Sequence, residues 1–277
     1  LFNMSLVLVY LYMQEAEKLG DLLVFLETHL PGLVNYSLDV LLLLPEEIDN
    51  YKVVIEERKR NYLMEYVRSI QVQVLVKLNE VSKQLWEKKD GVRKEIILGC
   101  FSNWVAMKYN QQLLKELTGH YVLNAALSHM SDTSINKECE HAVLTTLRTM
   151  KGAKEDPELF QFLAKAVFPY FGAVRQHIKE QLLDMSEPYL NVLAKFGRVA
   201  APIFVGTPSN DSAVFQTNML ELTLHVGIDN IESLVKYWKK FCITLHGLKN
   251  PSSVAYYQLM LEQLYQVLFR ISEYSLE

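Results

Sequence analysis

Between Ile55 and Trp86 the apolar residues Leu63, Tyr66, Val67, Ile70, Val74, Leu78, Val81 and Leu85 recur in steps of mostly three and four. That spacing is one stripe down a long α-helix; a strand cannot present it, because strand side chains alternate with a period of two. A helix this long and this one-sided must bury its stripe against other helices. Glu56 and Glu57 stand in its first turn, and Lys88 and Lys89 lie just past its end. Both placements suit the helix dipole.

The rest of the chain repeats the theme. Pro45 is expected to end the apolar helix that runs through Val40 to Leu44. Asp90-Gly91 breaks the chain, and Val92 to Lys108 is the next helix, with Ile96, Ile97, Cys100, Phe101, Trp104 and Val105 on one side. Leu113 to Met130 follows, with Gly119 a candidate nick. Ser131, Asp132 and Thr133 offer caps for a helix from Ile135 to Met150. Asp156-Pro157-Glu158 starts a helix reaching about Gly172, with proline at the first helical position. A helix from about Val174 to Ala201 comes next, with Pro188 as its kink or break, and Pro202 to Asp211 reads as a loop. Ala213 to Val226 and Ile231 to Gly247 form another pair, and Pro251 to Tyr274 begins a further helix.

Composition agrees. With 11 Gly and 8 Pro in 277 residues, the chain lacks the turn-formers of a sandwich or barrel. At 50% hydrophobic and 22% charged residues it has enough apolar surface to offset chain entropy, which excludes disorder throughout. The expected fold is all-α, an α-α superhelix of HEAT-like repeats. Trp104, Leu144, Phe196 and Trp238 mark the second helices of successive pairs, spaced by about 40, 52 and 42 residues. A two-helix unit of this size cannot bury both faces alone, so neighbours must cover one another. The alternative is a single helical bundle. As one array, residues 1–277 hold about five to six repeats. Both ends fall in mid-pattern, so the chain reads as a piece of a longer protein.

The charge of −4 excludes a generally basic, nucleic-acid-coating surface. Cys100, Cys139 and Cys242 are odd in number and far apart, which fits a reducing compartment. Leu1 to Met13 is apolar but lacks a basic leader and a cleavage site, and the longest unbroken apolar run, Val40 to Leu44, is too short to span a membrane. No Gly-rich phosphate loop, His-Glu-x-x-His or Gly-x-Ser-x-Gly is present, and the stretch after Gly206 reads as a loop. No enzyme, metal or cofactor is therefore expected. Cys139 and His141, two residues apart on a helix, face away from each other, so a buried thiol and a half-exposed imidazole are expected. The pairs Glu46-Glu47 and Glu56-Glu57 read as dipole-facing residues at helix ends. Glu56-Glu57-Arg58-Lys59-Arg60 reads as a solvated helix start. Lys236, Lys239 and Lys240 share one face of the Trp238 helix; that face suits an acidic or phosphorylated partner, or is simply an outward polar face.

Three stretches resemble the importin-β superfamily of nuclear transport receptors, nearest its transportin-SR and importin thirteen branch. They are Leu41-Leu-Leu-Leu-Pro-Glu-Glu-Ile48 with the Glu-Glu-Arg-Lys-Arg helix entry that follows, Val92-Arg-Lys-Glu-Ile-Ile-Leu-Gly-Cys-Phe-Ser-Asn-Trp-Val105, and the Tyr237-Trp238 helix before a Tyr- and Leu-rich one. The resemblance implies a receptor that carries protein cargo through nuclear pores, shuttling between cytoplasm and nucleus. Its implied partners are RanGTP, nucleoporins and splicing-related or RNA-binding cargo proteins, with no direct nucleic acid and no membrane. Such receptors bind Ran and cargo largely on the concave wall of second helices. The resemblance thus points to Asn103, Lys108, Arg148, Lys236 and Lys240 as candidate protein-binding residues. A phosphatase-type or vesicle-coat-type scaffold without Ran dependence would share the fold, and an all-α enzyme would need clustered ionisable residues that the sequence does not offer.

Overall fold

A computed structural model of the chain describes residues 2–29, 34–50, 52–87, 91–107, 111–150, 152, 154–226, 231–248 and 250–274. Fourteen α-helices and no strand occur among them. The chain divides into two compact units, Leu1–Thr149 and Met150–Glu277.

The first unit contains α1 (Phe2–Leu19), α2 (Leu22–His29), α3 (Val34–Asp49), α4 (Glu57–Trp86), α5 (Gly91–Ala106), α6 (Gln111–Leu117), α7 (Tyr121–Ser128) and α8 (Asn136–Thr149). α1, α3, α5 and α8 lie side by side as one row, each packing on the next. α4 lies across α1, α3 and α5 and also packs on the shorter α6 and α7. The expected stripe of α4 is largely its buried face: Leu63, Val67, Ile70, Val74, Leu78 and Leu85 are in the core, while Tyr66 and Val81 are half-buried.

The second unit contains α9 (Pro157–Val167), α10 (Tyr170–Lys179), α11 (Leu183–Gly206), α12 (Asn210–His225), α13 (Glu232–Gly247) and α14 (Pro251–Tyr274). α11 and α13 form one layer, and α10, α12 and α14 form the other. Phe215, fully buried on α12, holds this core together. Its ring centroid lies 5.1–6.0 Å from those of Phe168, Phe171, Phe196, Phe204 and Tyr237. The fold is therefore all-α and of helical-repeat type, with long second helices set beside one another in each unit.

Several boundaries differ from the sequence expectation, each for a local reason. Pro45 does not end its helix; α3 continues through it to Asp49. Proline removes the N–H that would bond to the carbonyl of Leu41, four residues back. The indole Nε1–H of Trp104 on α5 takes that place at 2.7 Å. The nick at Gly119 is a full break between α6 and α7, with Gly119 at φ +81.

The helix expected to reach Gly172 stops at Val167, before Pro169, and its successor ends at Lys179 instead of running on to Pro188. Gln181 makes that second break. It sits at φ 59, its N–H bonds to the Ile178 carbonyl, and the N–H of Leu182 bonds to His177. This is a Schellman ending in which glutamine fills the position glycine usually takes. Pro188 and Pro202 both lie inside α11, so the loop expected over Pro202 to Asp211 shrinks to the three residues between Gly206 and Asn210. Ser209 then caps α12 in a reciprocal pair with Ser212.

Two electrostatic expectations change as well. Glu46 and Glu47 lie in the last turn of α3, where the dipole disfavours them. They act instead as acceptors, Glu46 for Asn103 at 2.8 Å and Glu47 for the Tyr10 hydroxyl at 3.1 Å. Arg60 is not a solvated residue of the α4 entry. Its guanidinium donates to the carbonyls of Ile48, Asn50 and Val53, closing the end of α3. Lys88, Lys89 and Asp90 lie outside the described residues.

Candidate partner-binding wall

The second helices position the candidate residues. In the first unit α5 is fixed to α3 by three side chains that donate to α3 carbonyls: Cys100 Sγ to Leu38 at 3.1 Å, Asn103 Nδ2 to Leu42 at 3.0 Å and Trp104 Nε1 to Leu41. Gly99 makes the close approach possible; a Cβ there would stand 2.8 Å from Leu42 Cδ1. From the other side, Gln71 of α4 donates to the carbonyl of Trp104, one of the last in α5 and without a donor inside the helix. The α3–α5 seam is thus rigidly registered, and two clefts open beside it.

One cleft, of about 530 Å³, lies between α3, α4 and α5 and is lined by Glu46, Asp49, Asn50, Met64, Arg68 and Asn103. The Nε of Arg68 is buried and has no hydrogen-bond partner among the described residues. The other cleft, of about 370 Å³, lies between α5 and α8 and is lined by Ser102, Asn103, His141, Thr145, Arg148 and Thr149. Asn103 stands between the two. The structure therefore brings Asn103 and Arg148 to one cleft. Asn103 is more than a surface group, because both amide protons are engaged with α3, through Leu42 and Glu46. Arg148 is exposed on α8. Lys108 lies outside the described residues.

Lys236 and Lys240 belong to the second unit, on α13. Both are exposed, and Lys236 meets Glu232 one turn earlier at 2.5 Å. Beneath them α13 is anchored by its rings. Trp238 Nε1 donates to Thr223 Oγ1 at 2.8 Å, and Tyr237 donates to Gln216, both on α12. Tyr237 also presses on Gly197 of α11, where a Cβ would meet its ring at 2.5 Å. Trp104 and Trp238 are thus each buried within their own unit. Ser253 and Tyr257 of α14 donate to the carbonyls of Val205 and Phe204, closing the end of α11.

No group of three or more His, Cys, Asp or Glu placed to hold a metal ion occurs among the described residues. Burial pushes the Cys139 thiol up to about 12, and burial beside Asp39 and Glu46 raises the Cys100 thiol further. Neither is ionised near neutral pH. His141 is exposed on α8, facing away from Cys139. Among the described residues no helix is long and apolar enough to cross a membrane.

The residue that sequence reading missed is His120. It is buried between α6 and α7, accepts from the N–H of Val122 on Nδ1 at 3.2 Å, and its Nε2 meets the carbonyl of Leu75 at 3.0 Å. The first contact needs a lone pair on Nδ1, so the ring proton sits on Nε2 and the imidazole is neutral. Burial holds its pKa down at about 4. Its only sequence signal is the adjoining Gly119.

No protein-family model matches the chain. Transportin MOS14 of Arabidopsis thaliana is 23% identical to it over 240 residues, covering 82% of this chain and 23% of that protein. The chain thus spans about a quarter of the length of that curated relative. The similarity supports a relationship to the importin-β superfamily of transport receptors at large, and does not single out a branch within it.

Proposed function

We propose that this chain is a stretch of a nuclear transport receptor that binds protein partners along its second helices. The observation that carries the reading is the pair of clefts flanking Asn103 on a rigid α3–α5–α8 row, in a chain similar to a transportin. In this reading the two units are consecutive stretches of one repeat array. GTP-bound Ran, cargo proteins of the splicing-related or RNA-binding kind, and nucleoporins are its partners. It works in both cytoplasm and nucleus and performs no covalent chemistry. Repeats that touch mainly their neighbours flex together, so a partner that prefers one curvature weakens another that prefers a different one.

The test is retention on immobilised Ran. The protein carrying this chain should be held by Ran loaded with a non-hydrolysable GTP analogue and released from GDP-loaded Ran. Equal retention on both, or on neither, would sink the reading in favour of a scaffold without Ran dependence.

A further inference from the structure

We propose that the solvent face of α11 and α13 binds an acidic stretch of polypeptide. On α11 the residues Asp184, Glu187, Asn191, Lys195, Arg198, Pro202 and Gly206 lie outside the core and are spaced by three and four, which is one continuous stripe. On α13 the matching stripe carries Glu232, Lys236, Lys239, Lys240 and Ile243. Ser233 meets Asn191, and Tyr237 packs on Gly197, so the two helices run parallel in register. That register sets Lys195 level with Lys236, and Arg198 level with Lys239 and Lys240.

The face therefore gathers five cations against three carboxylates, Asp184 and Glu187 in the first turns of α11 and Glu232 at the start of α13, in a chain whose total charge is −4. Glu232 is already engaged by Lys236. Arg198, Lys239 and Lys240 make no ion pair among the described residues. Neighbouring like charges repel one another, and an anionic ligand relieves that repulsion.

The apolar content of the face selects the kind of polyanion. Ile243 is 57% exposed one turn past Lys239 and Lys240 and Val235 41% exposed beside Lys236, which suits side chains of a peptide. The rings of α13, Tyr237, Trp238 and Phe241, are buried on its opposite side, so among the described residues α13 offers this face no aromatic platform on which bases could stack. Lys195 is half-buried and has its own contacts, so Arg198, Lys239 and Lys240 are the principal contacts. The inference rests on the partner-binding reading of the second helices, to which Lys236 and Lys240 belong, but no element of it requires Ran.

Its test titrates the 277-residue chain into labelled poly-glutamate at low ionic strength and follows fluorescence anisotropy. Poly-glutamine and a thymidine oligonucleotide of equal charge serve as comparators. Saturable binding of poly-glutamate is expected, weakened at least tenfold in Arg198→Glu/Lys240→Glu and unchanged in Lys137→Glu, an exposed α8 lysine of the other unit. A zero-length carbodiimide should crosslink the peptide to Lys239 or Lys240 in the wild-type protein, a readout that needs no variant to fold. Absence of poly-glutamate binding, equal weakening by Lys137→Glu, or crosslinks confined to the first unit overturns the proposal. Tighter binding of the oligonucleotide overturns it too, making nucleic acid the occupant. Loss of Ran binding in a parallel assay would leave all these readouts where they are.

Discussion

Trp104 and Pro45 are coupled through a carbonyl that belongs to neither. Pro45 strips the Leu41 oxygen of its helical donor, and the indole of Trp104 restores one from the next helix. A proline inside a helix ordinarily costs about 3 kcal/mol, part of it the missing hydrogen bond. Here that part is met across the α3–α5 seam. Trp104→Phe should therefore lower stability by about 2–3 kcal/mol with Pro45 present, since it removes the indole donor and leaves a buried carbonyl bare. In a Pro45→Ala background the Leu41 oxygen regains its backbone partner, and the same substitution should cost about 1 kcal/mol less. A double-mutant cycle in guanidinium, read on the first unit's transition, measures that difference; a coupling near zero would separate the two residues.

His120 should make the first unit acid-sensitive. An unfolded imidazole takes its proton near the ordinary value of 6.5, whereas the buried ring resists protonation until about pH 4. The unfolded state therefore binds more protons over that window, and stability falls as pH drops from about 6.5 to 4, by up to about 3 kcal/mol. Above 6.5 this contribution is fully present and flat. His120→Asn keeps a side chain able to cap α7 but does not titrate there, so it should flatten the slope of stability against pH between 4 and 6.5. An unchanged slope in the variant would assign the acid sensitivity to other groups.

Two glycines should respond in opposite directions to one added methyl. Gly197→Ala places a Cβ against both Tyr237 and Phe215, at 2.5 and 2.9 Å, in a core with no room to yield, and should cost about 1–3 kcal/mol. Gly172 lies exposed in α10, with nothing within 4 Å of where a Cβ would stand, and Gly172→Ala should gain about 0.5–1 kcal/mol by stiffening the unfolded chain. Thermal melts of both variants check the pair, and equal shifts of one sign would contradict the packing described around Tyr237.

What the sequence revealed and what it hid divide along the range of the interactions. The α4 stripe, the Asp156-Pro157 start of α9 and the Pro251 start of α14 all rest on spacing within a few residues, and each stands in the structure as read. The survival of α3 beyond Pro45 depends on Trp104, a partner 63 residues away from Leu41 in the chain. His120 likewise reaches Leu75 across 45 residues, and nothing near it in sequence signals that contact. The break after α10 is invisible for a different reason. Its αL position holds Gln181, and the sequence cue for such an ending is glycine. Of the candidate site, the resemblance named Asn103 and Arg148, which the structure sets on neighbouring helices, but no sequence cue shows that Asn103 is tied down by α3 while Arg148 is exposed.

That distinction separates structure from binding at the α5–α8 cleft. Asn103→Ala removes two hydrogen bonds to α3, including the one to the Leu42 carbonyl, and should lower stability by about 1–2 kcal/mol. Arg148→Ala removes an exposed side chain and should leave stability within about 0.5 kcal/mol. If the cleft meets a protein partner, Arg148→Ala should weaken that binding several-fold with the unfolding midpoint unmoved. Asn103→Ala should weaken it only in step with its reduced stability, so that lowering the temperature restores much of the binding. Pulldown yields for both variants, measured beside their melting curves, tell the cases apart. Undiminished binding by Arg148→Ala would remove the α5–α8 cleft from the partner-binding wall.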